Sequence, residues 1–282
     1  MKNTRIVEKK EIRAQMEASE EQLFAAYNDQ ARAVRSLQAT VDLVPSTGST
    51  YSGVIEEYHD VPGFILAQRP ATVRVIGQAP VVAKNIFDMV SDGETFRIYI
   101  PSKNTFLVGA TSIVRASKKP IENLRPQHVV DALFWPEIAA NANVLLEQFD
   151  ADPYRYYILT LLRQTDSGKL EIARKIWFDR ADLRVSRMQL YGAAGRLDSD
   201  VSYSDWQPLG ASSASSASTP LAQRSSFARN IHIWRPQDDY KLEIRILKLT
   251  VNEEISADRF ELAQPAGTEL VRVGEEPAGA QR

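Results

Sequence analysis

Three histidines, His59, His128 and His232, are the side chains best suited to acid–base or metal chemistry in this 282-residue chain. None has a second histidine at ligand spacing, and the chain has no cysteine. A zinc site needs three or four such groups at fixed spacing, so no metal centre is expected. Without cysteine there is also no disulfide and no thiolate nucleophile. His59-Asp60 reads as part of a turn. His232 alternates with Ile231 and Ile233, which puts it on the polar face of a strand. His128 belongs to a short helix, either at the surface or on a lid. No phosphate loop, dinucleotide fingerprint or nucleophile elbow occurs. The carboxylates are scattered, with no spacing that pairs an acid with a base. The expectation is a protein with no catalytic residues and no cofactor, not an enzyme.

Charge excludes a further class. The net charge is −2, with no basic footprint for nucleic acid. No apolar run reaches the roughly 18 residues that span a bilayer. The start, MKNTRIVEKKEIRAQ, is charged but is followed by no apolar core, so it is not a signal peptide as it stands. Either the protein is cytoplasmic or its leader lies upstream of this sequence.

What remains is apolar periodicity. Ser19-Glu20-Glu21-Gln22 is a capping box, and Leu23, Tyr27, Ala31 and Val34 follow at helical spacing, predicting a helix over 19–36. From Leu37 the period changes to two. Ala39, Val41 and Leu43 alternate with Gln38, Thr40 and Asp42, and a turn is expected at Pro45–Ser49. Between Gly63 and Leu107, runs of β-branched and aromatic residues are cut at Arg69-Pro70, Gln78-Ala79-Pro80, Ser91-Asp92-Gly93 and Pro101–Asn104, an antiparallel meander. Pro126 opens a short helix with Val129, Val130, Leu133 and Phe134 on one face, and Pro136 stops it. In a β protein that helix is a plug, a lid or a plain connector. Strands resume at Leu145 and run to Asn252, with shorter pairings expected at Asp258–Leu262 and Leu270–Val273. The Ser/Ala-rich stretch 210–223 has little to bury and reads as a flexible loop. The organisation expected is an extension over 1–18, one domain over 19–273 and a tail over 274–282.

The reading gives eleven to thirteen strands and two helices, with no alternating βαβ rhythm. One antiparallel sheet this wide must curl or close. Its apolar face is too broad for two helices to cover flat, since a helix about 10 Å across spans few strands set about 4.8 Å apart. The enclosed space is either filled by side chains or left as a container for an apolar ligand.

The ordered set Gly63, Arg69-Pro70, Arg74, Pro80, Ser91-Asp92-Gly93, Tyr99 and Pro101 resembles the early strands of the outer-membrane lipoprotein carrier family, the LolA- and LolB-like proteins. Lys175–Trp206 is similar to that family's next hairpins, and Leu249–Val271 to its closing segment. The resemblance implies a mainly β fold, an unclosed antiparallel β-barrel with helices over its concave face. It implies a non-enzymatic envelope protein that binds lipid or the acyl chains of lipoproteins, in lipoprotein sorting or outer-membrane lipid transport. The alternative is a structural or stress-sensing interaction module with a packed interior. The groove expected is lined by Phe64, Leu66, Val73 and Val75, by Phe96 and Ile98, by Ile176, Phe178, Met188 and Leu190, and by Ile233, Leu242, Ile244 and Ile246. Val130, Leu133 and Phe134 form its lid. The implied location is the periplasm or the periplasmic face of the outer membrane. An envelope protein partner and attachment through a lipidated N-terminus belong to the same set of expectations, and nucleic acid does not.

Overall fold

The computed structural model describes residues 15–49, 54–57, 60–81, 84–112, 125–151, 154–209 and 225–274. His59 and the Ser/Ala-rich stretch therefore lie outside the described residues. The chain opens with α1 (Glu20–Ala33), capped by Ser19 through a complete capping box. The predicted stripe is its buried face: Leu23, Tyr27, Ala31 and the following Val34 are 3% exposed or less.

Then come β1 (Ser36–Ser49), β2 (Val54–Glu57), β3 (Val61–Gln68), β4 (Thr72–Gln78), β5 (Asn85–Ser91), β6 (Thr95–Ile100) and β7 (Thr105–Ala110). The short helix α2 (Pro126–Leu133) follows. The second half holds β8 (Asn143–Ala151), β9 (Tyr154–Gln164), β10 (Leu170–Asp179), β11 (Val185–Tyr191), β12 (Leu197–Pro208), β13 (Ser226–Arg235), β14 (Tyr240–Val251) and β15 (Glu269–Arg272). The meander turns fall where the sequence places them. At one of them Asp92 accepts from the backbone N–H of Glu94 and Thr95, while Gly93 takes a positive φ of 98°.

Fourteen strands form one path, β15-β7-β6-β5-β4-β3-β1-β14-β13-β12-β11-β10-β9-β8, with β2 beside β1. The sheet is not closed: β15 and β8 are its two ends. Among the described strands all pairings are antiparallel except β15 with β7. The sheet curls strongly. In its order β5 and β13 are five strand spacings apart, about 24 Å if flat. α2, about 12 Å long, nevertheless lies against β4, β5 and β13 together. The fold is thus a mainly β, open half-barrel with helices over its concave face.

The described strands number fifteen where eleven to thirteen were expected, and two readings of local structure change. Pro45 sits inside β1, opposite Leu242 of β14, where a turn was expected. On the other side of β1, pairing with β3 ends at Leu43 and pairing with β2 starts at Ser46, so Pro45 falls in a gap of the ladder. The segment near Asp258 is a 3-10 turn (Ala257–Phe260), not a strand. It belongs to a crossing, 252–268, that leaves β14 and passes over the convex face before β15 joins β7. Arg74, paired to Asp88 through both carboxylate oxygens, donates to the Arg259 carbonyl at 2.9 Å and fixes that crossing. Leu66, Val90, Phe106 and Ile255 are buried yet lie outside the main core, a small second core on this outer side.

Cross-strand pairs of glycine and phenylalanine make room on the concave face. Gly77 is opposite Phe87, and Phe96 is opposite Gly109. A Cβ on Gly109 would stand 2.7 Å from the Phe96 ring, and one on Gly77 would also meet the Phe87 ring. The aromatic rings occupy the space the missing side chains leave. Gly77→Val is therefore expected to destabilise the fold by about 1–3 kcal/mol through overpacking. Urea unfolding should show a lower midpoint with an unchanged slope.

Candidate functional site

The concave face carries most of the core. Val73, Val75, Phe96 and Ile98 come from the first half of the sheet, and Ile176, Phe178 and Met188 from the second. Ile233, Leu242, Ile244 and Ile246 complete it, all of these being 6% exposed or less. Leu190 is partly buried against the same cluster. Phe64 and Leu66 do not join them. On β3 the core-facing residues are Ile65 and Ala67, which pair with Val75 and Val73 of β4. Phe64 is 41% exposed on the convex side, and Leu66 is buried there in the second core. Period two places Phe64 and Leu66 on one face, but β3 is apolar on both faces and its phase cannot be read from hydrophobicity alone.

The interior is filled by a plug made of α2 and the segment after it. Val130, Leu133, Phe134, Trp135 and Ile138 are 5% exposed or less and belong to the main core. Trp135 is its centre. The indole stacks on Tyr27 of α1 with centroids 5.3 Å apart and meets Tyr203 edge-on at 5.2 Å. The Trp135 Nε1–H donates to the Tyr203 hydroxyl at 2.9 Å, and that hydroxyl donates to the Ala132 carbonyl at 3.0 Å. Burial pushes the Tyr203 phenol far above its usual range, so it stays a neutral donor.

Polar contacts tie this plug to α1 and to β3. Arg69, just past the end of β3, donates from Nε to the Val34 carbonyl at 3.0 Å. Its Nη2 donates to the Ala31 carbonyl at 2.6 Å and to the Trp135 carbonyl at 3.1 Å. One guanidinium thus satisfies the open C-terminal end of α1 and grips the plug, with the Phe134 ring 5.0 Å beneath it. Tyr27 donates to the Pro136 carbonyl at 3.0 Å, and Arg174 of β10 reaches both of those oxygens. The Asn28 amide exchanges two hydrogen bonds with the backbone of Ile138, at 2.8 and 3.0 Å.

The face of α2 turned away from Val129, Val130 and Leu133 is less well served. Gln127 Oε1, His128 Nδ1 and Arg174 Nε are shielded from solvent with no hydrogen-bond partner among the described residues. Each such atom costs about 1–3 kcal/mol. Asp131, on the same helix, has its carboxyl pushed up by burial. Two spaces beside the plug, among the described residues, are small. A cavity of about 20 Å³ lies between Arg69, Leu133, Trp135 and Tyr203, and one of about 40 Å³ between Tyr27, Phe178 and Trp206. Each holds a water or two, against roughly 300 Å³ or more in a ligand pocket. A larger hollow of about 390 Å³ is an open dish on the convex face beside Arg187, Trp234 and Lys241.

The sequence puts Val130, Leu133 and Phe134 on the apolar face of the short helix, where the structure buries them, but gives no sign of Arg69, Trp135, Tyr27 and Tyr203 as the groups that hold the plug. The Phe134-Trp135-Pro136 run, strongly apolar just where a connector should turn polar, is the one local signal of a plug. His232 lies exposed on the convex face, 3.6 Å from Glu243. Among the described residues no cluster of metal-ligating side chains occurs.

Neither a protein-family model nor a curated protein matches the sequence. Solved structures do. A DUF1329 family protein from Desulfovibrio piger superposes with a TM-score of 0.52 at 13% identity, over 84% of this chain and 94% of that one. A LolA superfamily protein from Nitrosomonas europaea gives 0.49 at 10% identity, over 87% of this chain and 99% of that one. A domain assigned to outer membrane lipoprotein sorting, from Vibrio parahaemolyticus, gives 0.46 at 10% identity, over 84% and 95%. The likeness to the Desulfovibrio piger protein is one of fold.

The seat of α2 makes the protein sensitive to acid. Burial holds the His128 imidazole well below its usual range, and the guanidinium groups of Arg235 and Arg125 add repulsion. The unfolded chain takes up that proton near pH 6.5 while the folded chain resists it. Stability should therefore fall as the pH drops below about 6.5, by about 1 kcal/mol per pH unit. Urea titrations from pH 7.5 to 5 should show this slope, and His128→Asn should flatten it.

Proposed function

We propose that this chain is a non-enzymatic bacterial envelope protein that takes lipid or lipoprotein acyl chains onto its concave face, in lipoprotein sorting or outer-membrane lipid transport. The observation that carries this reading is the construction of the cover. The concave face is apolar from β4 to β14, and what fills it is a separate plug fastened at its rim by Arg69, Tyr27 and Asn28. In this reading Val73, Val75, Phe96, Ile98, Ile176, Phe178, Met188, Leu190, Ile233, Leu242, Ile244 and Ile246 form the groove. Val130, Leu133 and Phe134 form the lid that leaves it. The ordered sequence motifs that resemble the lipoprotein carriers point the same way. The working location is the periplasm or the periplasmic face of the outer membrane.

Magnitudes make the exchange feasible. Burial of each large apolar side chain of the plug contributes about 2 kcal/mol, or about 10–12 in all. An acyl chain of roughly fifteen methylenes gains about 12 kcal/mol at about 0.8 per methylene. The two occupants are nearly balanced. The orphaned polar atoms of Gln127 and His128 on α2 lower the cost of moving it.

A second reading has its own observation. Among the described residues the two spaces beside the plug are about 20 and 40 Å³, which favours a packed module that works through its surface, as an envelope structural or stress-sensing protein.

Native mass spectrometry after mild purification, followed by uptake of a dansyl-labelled fatty acid, separates the two. The acyl reading expects bound lipid or saturable uptake. It also expects Arg69→Leu to accelerate uptake about tenfold, a change of about 1.4 kcal/mol in the opening barrier, with circular dichroism showing a folded variant. If neither the wild type nor Arg69→Leu holds or exchanges an acyl chain, the acyl reading fails and the packed module stands.

A further inference from the structure

β8 ends the sheet, and no described strand pairs with its free side. It is nine residues long, whereas β15 at the opposite end has four. A free edge presents a row of unpaired N–H and C=O groups, and folded proteins usually blunt it with lysine, proline, a bulge or brevity. β8 has none of these, and its charged residues are Glu147 and Asp150. Its sequence, NVLLEQFDA, lacks lysine, arginine and proline. Its pairing with β9 runs without a register shift from Asn143 opposite Leu162 to Ala151 opposite Tyr154. It also exposes Leu145 (60%), Leu146 (39%) and Phe149 (40%).

The convex side of this edge has a definite pattern. Leu145, Glu147 and Phe149 share that face, opposite Thr160, Ile158 and Tyr156 of β9. Phe149 stacks on Tyr156 at 6.5 Å between centroids, and Tyr156 on Tyr154 at 6.3 Å, which makes an aromatic ledge behind the edge. Asp150 is engaged by Arg180. Glu147 is exposed and has no polar partner among the described residues.

We propose that β8 is a docking edge for an extended segment of a partner protein with the pattern apolar–x–basic–x–apolar. Added as a further strand, such a segment sets its basic residue opposite Glu147 and its apolar residues opposite Leu145 and Phe149. Backbone hydrogen bonds supply affinity, and alternate side chains supply the choice of partner. A second copy of this chain fits less well. The antiparallel register that joins Leu145 to Phe149 across a two-fold axis also sets Glu147 against Glu147, and like charges directly opposed repel. The inference does not rest on acyl binding, because the plug lies against β4, β5 and β13 on the other face.

The test titrates the full chain with the blocked peptide Thr-Thr-Val-Thr-Lys-Thr-Val-Thr-Thr and follows amide hydrogen exchange. Saturable slowing is expected at β8, with binding about fivefold weaker when the peptide lysine is replaced by glutamate. Glu147→Lys should reverse that preference, and Leu145→Thr should weaken both peptides. Three results would overturn the proposal: no slowing at β8 with either peptide, equal affinity for the two, or sedimentation showing a dimer of the chain with β8 already protected.

Discussion

A sheet that is apolar along one whole face must have that face covered, and the rest of this molecule follows from that constraint. Curling brings the two halves of the sheet toward each other and hides much of the surface. The concavity that remains is closed by the plug of α2 and the segment to Ile138. Arg69 holds the closure together. Its guanidinium binds two carbonyls at the end of α1 and one in the plug, so helix and cover are fastened by a single side chain. Tyr27, Arg174 and Asn28 repeat the theme from neighbouring positions.

The two helices differ in kind. α1 is capped at its start, buries a clean stripe, and is completed at its end by Arg69. α2 has no side-chain cap and carries shielded polar atoms without partners among the described residues. A helix seated in this way is stabilised by its apolar contacts and opposed by its polar ones. It stands over the apolar concave face, against β4, β5 and β13. The convex face follows another logic, with its own crossing segment, a charged pair at Arg74 and Asp88, and an unblunted edge at β8.

Much of this was legible in the sequence, for local reasons. Turn residues flank Tyr154–Gln164, Leu170–Asp179 and Ser226–Arg235, and those strands begin and end where their turns dictate. The α1 stripe was equally plain, because a capping box fixes the start and the period fixes the face. Phe64 and Leu66 show the limit. When a second layer covers the outer face, both faces turn apolar and alternation loses its phase. Pro45 shows another, since a proline between two partners on one side of a long strand imitates a turn. The fasteners were not legible at all. Arg69 meets Trp135, and Trp135 meets Tyr203, across 66 and 68 residues of sequence. No local pattern encodes such contacts.

The central claim is that α2 and the segment to Ile138 form a displaceable cover over an acyl-binding face. Amide hydrogen exchange with and without a saturating single-chain phospholipid tests it most directly. The account predicts faster exchange in 126–138 on binding, together with slower exchange in β4, β13 and β14. Lipid bound while 126–138 keeps its protection would contradict it.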